Sequence, residues 1–279
     1  MSQIPDDQLD EASVRAELAT TWLGRPYHYV ADIDSTNDRL KEWAADPARA
    51  ADPARATGTV LLAEFQSAGR GRLDRRWEAP PGGGLLFSAL LRPGWPARQG
   101  AWLTMLAGLA VVAAIESVAG RPARLKWPND VVLDHDGAWR KVCGLLLDST
   151  LDPAGRLESA ILGVGLNVNI PAEQLPVAPM PPISLQVAAG RPIARRPLLL
   201  ALLDRLEQGY DAADAGQSPW AEWNARLITI GQAVRVSAGS SAALEGLAEG
   251  TDEWGQLLVR DAAGRQHVVA AGDVTLRDR

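Results

Sequence analysis

The chain has 279 residues, 47% of them hydrophobic, with a formal net charge of -6. That is enough chain to bury a large core with a smaller domain beside it, and the acidic balance argues against a general nucleic-acid binder, so no DNA partner is expected. One cysteine, Cys143, excludes an internal disulfide, and three scattered histidines (His28, His135, His267) show no metal-ligand spacing.

In chain order, residues 8–23 read as a helix and "YHYVADI" (Tyr27 to Ile33) as a strand. The acidic N-terminus lacks an apolar signal core, which makes the cytoplasm the default location. "DSTNDRLKEWA" opens with helix-capping residues and continues with Leu40 and Trp43 at helical spacing. The tandem hexamer "ADPARAADPARA" (Ala45 to Ala56) reads as a surface-loop insertion. Strands follow at Thr59 to Gln66 and Leu85 to Leu91, and between them lies "GRGRLDRRW" (Gly69 to Trp77), four arginines and two glycines in nine residues. The run "AWLTMLAGLAVVAAI" (Ala101 to Ile115) is shorter than a membrane span and reads as part of a core helix over residues 97–118, so no membrane partner is expected. "RLKW" leads into the turn "PND", then two strands, "KVCGLLLDST" and "LESAILGVGLNVNI". Helices are expected over about 197–213 and 219–227, after a proline-rich link. From Ile230 the texture changes to short alternating runs, "AVRVSA", "ALEGLAEG", "QLLVRD" and "HVVAAG", which suggest a small β-barrel. The fold class is α+β, divided into residues 1–228 and 229–279.

Four stretches carry chemistry. In "ILGVGLNVNI", Leu162, Val164, Leu166, Val168 and Ile170 alternate with Gly163, Gly165, Asn167 and Asn169. The glycine face accommodates either close packing under the core helix or a ligand, and the asparagines favour the ligand. In "KVCGLL", alternation puts Lys141 with Cys143 and Val142 with Gly144, and Lys141 alone would pass for an edge charge. In "KWPND", turn chemistry by itself accounts for Asn129 and Asp130, with Lys126 projecting beside them. The arginine loop has three readings: a solvated charge run, a nucleic-acid contact or a phosphate cradle. The last suits the glycines and the acidic whole best, and the loop lacks the Gly-Lys-Ser/Thr ending of a Walker A motif.

Taken together and in this order, "DSTN", "AEFQSAGRGRLDRRW", "PPGGGLLFS", "KWPND", "KVCGLLLDS" and "GVGLNVN" resemble the successive motifs of the biotin protein ligases, over about Asp34 to Ile170, and "GLAEGTDEWGQLLV" resembles the family's SH3-like C-terminal domain. The resemblance implies a mixed-sheet catalytic domain of the biotin/lipoate ligase, class II synthetase-like type. It implies biotin and ATP as substrates, biotinyl-5′-adenylate as intermediate, Mg²⁺ as companion of ATP, and a lysine of a biotin carboxyl carrier domain as acceptor. It assigns biotin to Ser35, Thr36, Asn37, Gln66, Gly69, Arg70, Gly71, Arg72 and Lys141, with room made by Gly144, Gly163 and Gly165. Arg75, Trp77, Lys126, Asn129, Asp130 and Asn167 fall to the nucleotide, and Lys141 and Arg72 to catalysis. Asp74 stands where the family usually has glycine, and Asp148 where it usually has glutamate. Only 33 residues precede "DSTN", which resembles the short form without an N-terminal helix-turn-helix, whether monomer or homodimer. The competing readings are a lipoate-type protein ligase and a non-enzymatic biotin-sensing regulator.

Overall fold

The computed structural model describes residues 7–46, 57–73, 75–237 and 243–276. Most of the tandem hexamer, and Asp74, lie outside the described residues. Two sheets organise the rest. The larger has seven strands in the order β1-β2-β3-β7-β6-β5-β4: β1 (Tyr27–Ile33), β2 (Val60–Gln66), β3 (Gly84–Leu91), β4 (Ala123–Lys126), β5 (Asp130–His135), β6 (Ala138–Leu151) and β7 (Leu157–Asn167). Only β1 and β2 pair in parallel, joined across α2 (Thr36–Ala45), and every other ladder is antiparallel. This is the mixed sheet expected of an α+β fold.

Local chemistry sets the elements. The Ser35 side chain caps α2 by accepting from the Asp38 N–H. β3 is buried at every position, as a strand covered on both faces must be. Helix α1 is only Glu11–Glu17, shorter than the 8–23 expected, because residues 21–23 turn to place three N–H groups on one buried carboxylate, Glu207. That carboxylate sits on α5 (Arg195–Asp214), which follows a short helix, α4 (Leu185–Ala189), invisible in the sequence pattern.

The core helix is longer than its apolar run suggests. A 3₁₀ turn at Ala97–Gln99, α3 (Gly100–Ala114) and a π-helical turn at Ile115–Ala119 join into one helix. Its 23 residues reach the length and hydropathy of a membrane span, but two-thirds of its most apolar window is buried inside the molecule. It lies between the sheet and α5, with Leu103, Ala107, Ala110 and Val111 fully enclosed among Leu62, Phe87, Leu162 and Leu199.

After α6 (Trp220–Ala225), residues 227–229 zip onto β4, where Ile228 N donates to Leu125 O and Thr229 Oγ1 accepts from Trp127 N. The smaller sheet follows: β8 (Ala233–Ser237), β9 (Leu244–Thr251), β10 (Leu257–Arg260), β11 (Gln266–Val269) and β12 (Asp273–Leu276) in the antiparallel order β11-β10-β9-β8-β12. The sequence pattern shows four of these five strands. No ladder joins β11 to β12 among the described residues, so the barrel is partly open. Its Val234, Val236, Leu257 and Val259 belong to the main core, and Trp254 stacks on Trp102 of α3 at 6.0 Å. The Trp127 indole N–H donates to Gly255 O at 2.8 Å, locking the smaller sheet against the "KWPND" turn.

Candidate active site

The face of the large sheet opposite α3 is only partly covered. α2 covers one end, where Leu40 packs on Leu61, Leu90 and Ile161. Beyond it, facing residues on β6 and β7 (Gly144 with Gly165, Leu146 with Gly163) form a floor, and the arginine loop rises over it. A cavity of about 650 Å³ lies beneath that loop, lined by 68–73, Arg75, Arg76, Leu146 and Asp148, within the size range of small-molecule sites.

The loop is a short hairpin. Trp77 N donates to Gly69 O, Gly71 N to Arg75 O, and Arg75 N to Arg72 O, with Leu73 at the tip in the left-handed region (φ 55°). Gly69 is required because a Cβ there would run into the Trp77 carbonyl. The four arginines diverge. Arg70 Nη1 bonds Asp38 Oδ1 at 2.7 Å and Asp148 Oδ2 at 3.2 Å, whereas Arg76 turns back to Ser67 O. Arg72 Nη1 donates to Asn129 Oδ1 at 3.0 Å and its Nη2 to Gly272 O at 3.3 Å, and Arg75 pairs with Asp273 of β12.

One end of the floor is a neutral polar pocket. Gln66 Oε1 accepts from Thr36 N at 2.8 Å and lies 3.0 Å from the Thr36 hydroxyl, which also lies 2.7 Å from Ser88 Oγ. Ser88 donates to Asn37 Oδ1 at 2.5 Å, and Asn37 Nδ2 donates to Asp148 Oδ2 at 3.2 Å. Asn37 presses on Gly163, where any Cβ would collide with its amide oxygen. Ser88 was missed from the sequence; the available signal was one hydroxyl in the otherwise apolar strand "LLFSALL", and it is fully buried.

The other end is cationic. Lys141 Nζ lies 2.6 Å from Asp130 Oδ1 and 5.4 Å from the centre of the Trp77 ring. This corrects the expected alternation. The register between β5 and β6 slips at Val131/Val132, so that Val142 and Cys143 are both buried in the core while Lys141 comes onto the face of Gly144. A Cβ on Gly144 would sit 3.2 Å from the Lys141 amine. Such a bulge re-aims a side chain, here the amine that the sequence suggests for catalysis. Burial lowers the pKa of Lys126, only 8% exposed, against the pull of Asp130, and the charges of Lys141, Arg75 and Arg72 lower it further. Burial likewise lowers that of Arg72. Cys143 lies behind the strand, its thiol pKa pushed up by burial, and is no nucleophile at neutral pH.

Trp77 lies flat across the glycines. A Cβ on Gly165 would stand 2.5 Å from its Cε2, and one on Gly144 would stand 2.8 Å from its Cζ3. The glycine face is therefore occupied by the protein's own Asn37 and Trp77, and Trp77 Nε1 is buried with no acceptor among the described residues. Asn129 is held by Nδ2 to Leu145 O at 2.6 Å. Asn167, 4% exposed, donates to Ile183 O and ties the segment before α4 to the end of β7. Ile170 lies past the strand's end and packs with Ala79 and Leu86, apart from Leu162 and Val164, because β7 stops at Asn167.

The bare face of the mixed sheet thus joins a polar pocket to a cationic cluster under an arginine loop. The chain matches the Biotin/lipoate A/B protein ligase family over residues 33–167 and the Biotin protein ligase C terminal domain over 229–277. It is 38% identical to the biotin--[acetyl-CoA-carboxylase] ligase of Mycobacterium tuberculosis, over 95% of each chain. It is 32% identical to the bifunctional ligase/repressor BirA of Bacillus spizizenii, over 95% of this chain and 78% of the relative. Among solved structures, the Aquifex aeolicus biotin protein ligase in complex with biotin and ATP superposes with a TM-score of 0.71 at 28% identity, covering 91% of this chain and all of the other. The chain belongs to the biotin protein ligase family.

Proposed function

We propose that this protein activates biotin with ATP as biotinyl-5′-adenylate and transfers the biotinyl group to a lysine of a biotin carboxyl carrier domain. The observation that carries this is the cationic cluster: Arg72, Lys126 and Lys141 gather about Asp130 at the edge of a polar pocket, with Arg75 beside them and paired to Asp273. Biotin's carboxylate attacks the α-phosphorus of ATP, forming the acyl–phosphate bond while the bond to the β-phosphate breaks and pyrophosphate leaves. Two anions must meet, and fixed positive charge at the meeting point is the principal aid an enzyme supplies. The neutral acceptor amine then attacks the acyl carbon, AMP departs and the amine loses a proton. No protein nucleophile takes part.

In this reading the head of biotin lies against Ser35, Thr36, Asn37, Gln66 and the Gly69 to Arg72 segment, and its carboxylate reaches Lys141 and Arg72. Gly144, Gly163 and Gly165 serve by admitting Trp77 and Asn37 close to the sheet. The nucleotide falls to Arg75, Trp77, Lys126, Asn129 and Asp130, where the unpaired Trp77 N–H offers a donor. Asn167 acts there by holding the segment before α4. Mg²⁺ brought with ATP would be carried largely by the phosphates, and of the residues assigned to the nucleotide only Asp130 could offer it a carboxylate. Its chemistry there would be charge neutralisation of the departing pyrophosphate. The chain divides in this reading at 228/229, inside the strand-like link along β4, which agrees with the start of the C-terminal family match at 229.

The test is pyrophosphate release from ATP with biotin or lipoate as the acid. Release with biotin alone is expected; release with lipoate alone places the chain with the lipoate-type ligases, and release with neither refutes an adenylating function.

A further inference from the structure

Asp148 has no role in the scheme above. It lies on β6 opposite Ile161, at the end of the floor where α2 begins to cover the sheet. One oxygen, Oδ2, takes three donors from two different elements: Lys41 Nζ of α2 at 2.8 Å, Asn37 Nδ2 at the start of the same helix at 3.2 Å, and Arg70 Nη1 of the arginine loop at 3.2 Å. Burial alone would raise its pKa; the hydrogen bonds from Lys41 and Asn37 and the charges of Lys41 and Arg70 overcome this and hold it below the usual carboxylate value. Arg70 continues to Asp38, so an ion-pair chain Lys41–Asp148–Arg70–Asp38 crosses the mouth of the polar pocket.

The amide of Asn37 is fixed from both sides. Its oxygen accepts from Ser88 and its nitrogen donates to Asp148, which leaves one orientation that satisfies both ends. Arg70 has Asp38 as its only other ion-pair partner among the described residues, and Asp38 is the more exposed of the two carboxylates. Without Asp148, Arg70 would follow a solvated side chain rather than the sheet. Lys41, a long and partly exposed side chain, reaches down to a carboxylate one methylene shorter than the family's usual glutamate.

We propose that Asp148 is a positioning residue for biotin, fixing Asn37 and Arg70 at the pocket, and that Lys41 is its charge partner. The inference rests on the functional reading above. It concerns the binding of biotin and not the chemical step, because Lys141 and Arg72 stand at the other end of the floor and touch none of these groups.

The test compares Asp148→Asn, Asp148→Glu and Lys41→Met with the wild type in two measurements: biotin affinity by calorimetric titration without ATP, and steady-state pyrophosphate release. Asp148→Asn should weaken biotin binding and raise KM for biotin about 10- to 100-fold, as lost charge-assisted hydrogen bonds do, with kcat and KM for ATP within about threefold of wild type. Asp148→Glu should recover most of the loss. Lys41→Met, a partly exposed position that folding tolerates, should raise KM for biotin about three- to tenfold. Unchanged biotin affinity in Asp148→Asn or Lys41→Met overturns the proposal. So does an Asp148→Asn defect spread equally over kcat and both KM values, or one that glutamate does not relieve. If Asp148→Asn does not fold, the Lys41→Met result decides. A wild type that neither binds biotin nor releases pyrophosphate would sink the functional reading itself, whereas an active wild type with indifferent variants sinks only this inference.

Discussion

Replacing Gly165 by alanine tests how the nucleotide end of the site is built. The new Cβ would lie 2.5 Å from Trp77 Cε2, 2.7 Å from Nε1 and 2.9 Å from Cδ2, whereas carbon atoms in contact settle at about 3.5 to 4.0 Å. A rigid indole cannot slide a single atom aside, so the ring must lift by about 1 Å. Overpacking of this kind costs about 1 to 3 kcal/mol. Because the ring belongs to a loop, the cost should fall on ligand binding more than on stability, as a rise of about 5- to 150-fold in KM for ATP with little change in melting temperature. The same substitution made in a Trp77→Ala background should then cost almost nothing, since the clash is gone. Pyrophosphate-release kinetics on the two single variants and the double variant measure the coupling. Additive effects, or an unaltered KM for ATP in Gly165→Ala, would refute the placement of Trp77 on the glycine floor.

Other predictions follow from the same geometry. Lys141→Ala removes the amine aimed by the bulge, and biotin-dependent pyrophosphate release should fall about a hundredfold to a thousandfold; unchanged turnover would leave Lys141 as a surface charge. Asp273→Ala frees Arg75 from the smaller sheet and should speed amide exchange in the arginine loop, measured without ligand. Glu207→Ala orphans the N–H groups of Thr21, Trp22 and Leu23, which should cost about 3 kcal/mol and lower the melting temperature by about 6 to 12 °C. Burial works to raise the pKa of Glu207, yet those N–H bonds prevail and lower it. The stability it contributes is therefore present above the unfolded value of about 4.5 and lost as pH falls through the folded value, so the Glu207→Gln variant should show a shallower acid limb in thermal scans taken against pH.

The strands of the large sheet that carry long apolar or alternating runs were legible, as were the cap at Ser35 and the change of texture near 230. The misses have physical causes. Residues 18–23 keep helical periodicity, but a carboxylate 184 residues downstream of Leu23 captures the N–H groups of residues 21–23, a tertiary contact that no local pattern reports. β5 hides behind the turn residues that precede it. The identity of the face that Lys141 occupies depends on a bulge, and one inserted residue reverses every alternation argument. The glycines signalled a close approach correctly, yet what approaches is Asn37 and Trp77, residues of the protein far away in sequence. The family motifs supplied the candidate residues as a set; only the fold sorts them into a neutral pocket and a cationic one. Asp148, a departure with no reading in the sequence, acquires one once Lys41, Arg70 and Asn37 are seen on the same oxygen.

The central claim is that one site performs activation and transfer in succession. A single-turnover experiment with ATP, labelled biotin and an apo carrier domain tests it directly, with products resolved over time by mass. The account predicts biotinyl-5′-adenylate appearing first, then label on one lysine of the carrier with AMP released in equal amount. No adenylate at saturating ATP and biotin, or a label that never leaves the adenylate for the carrier lysine, would contradict it.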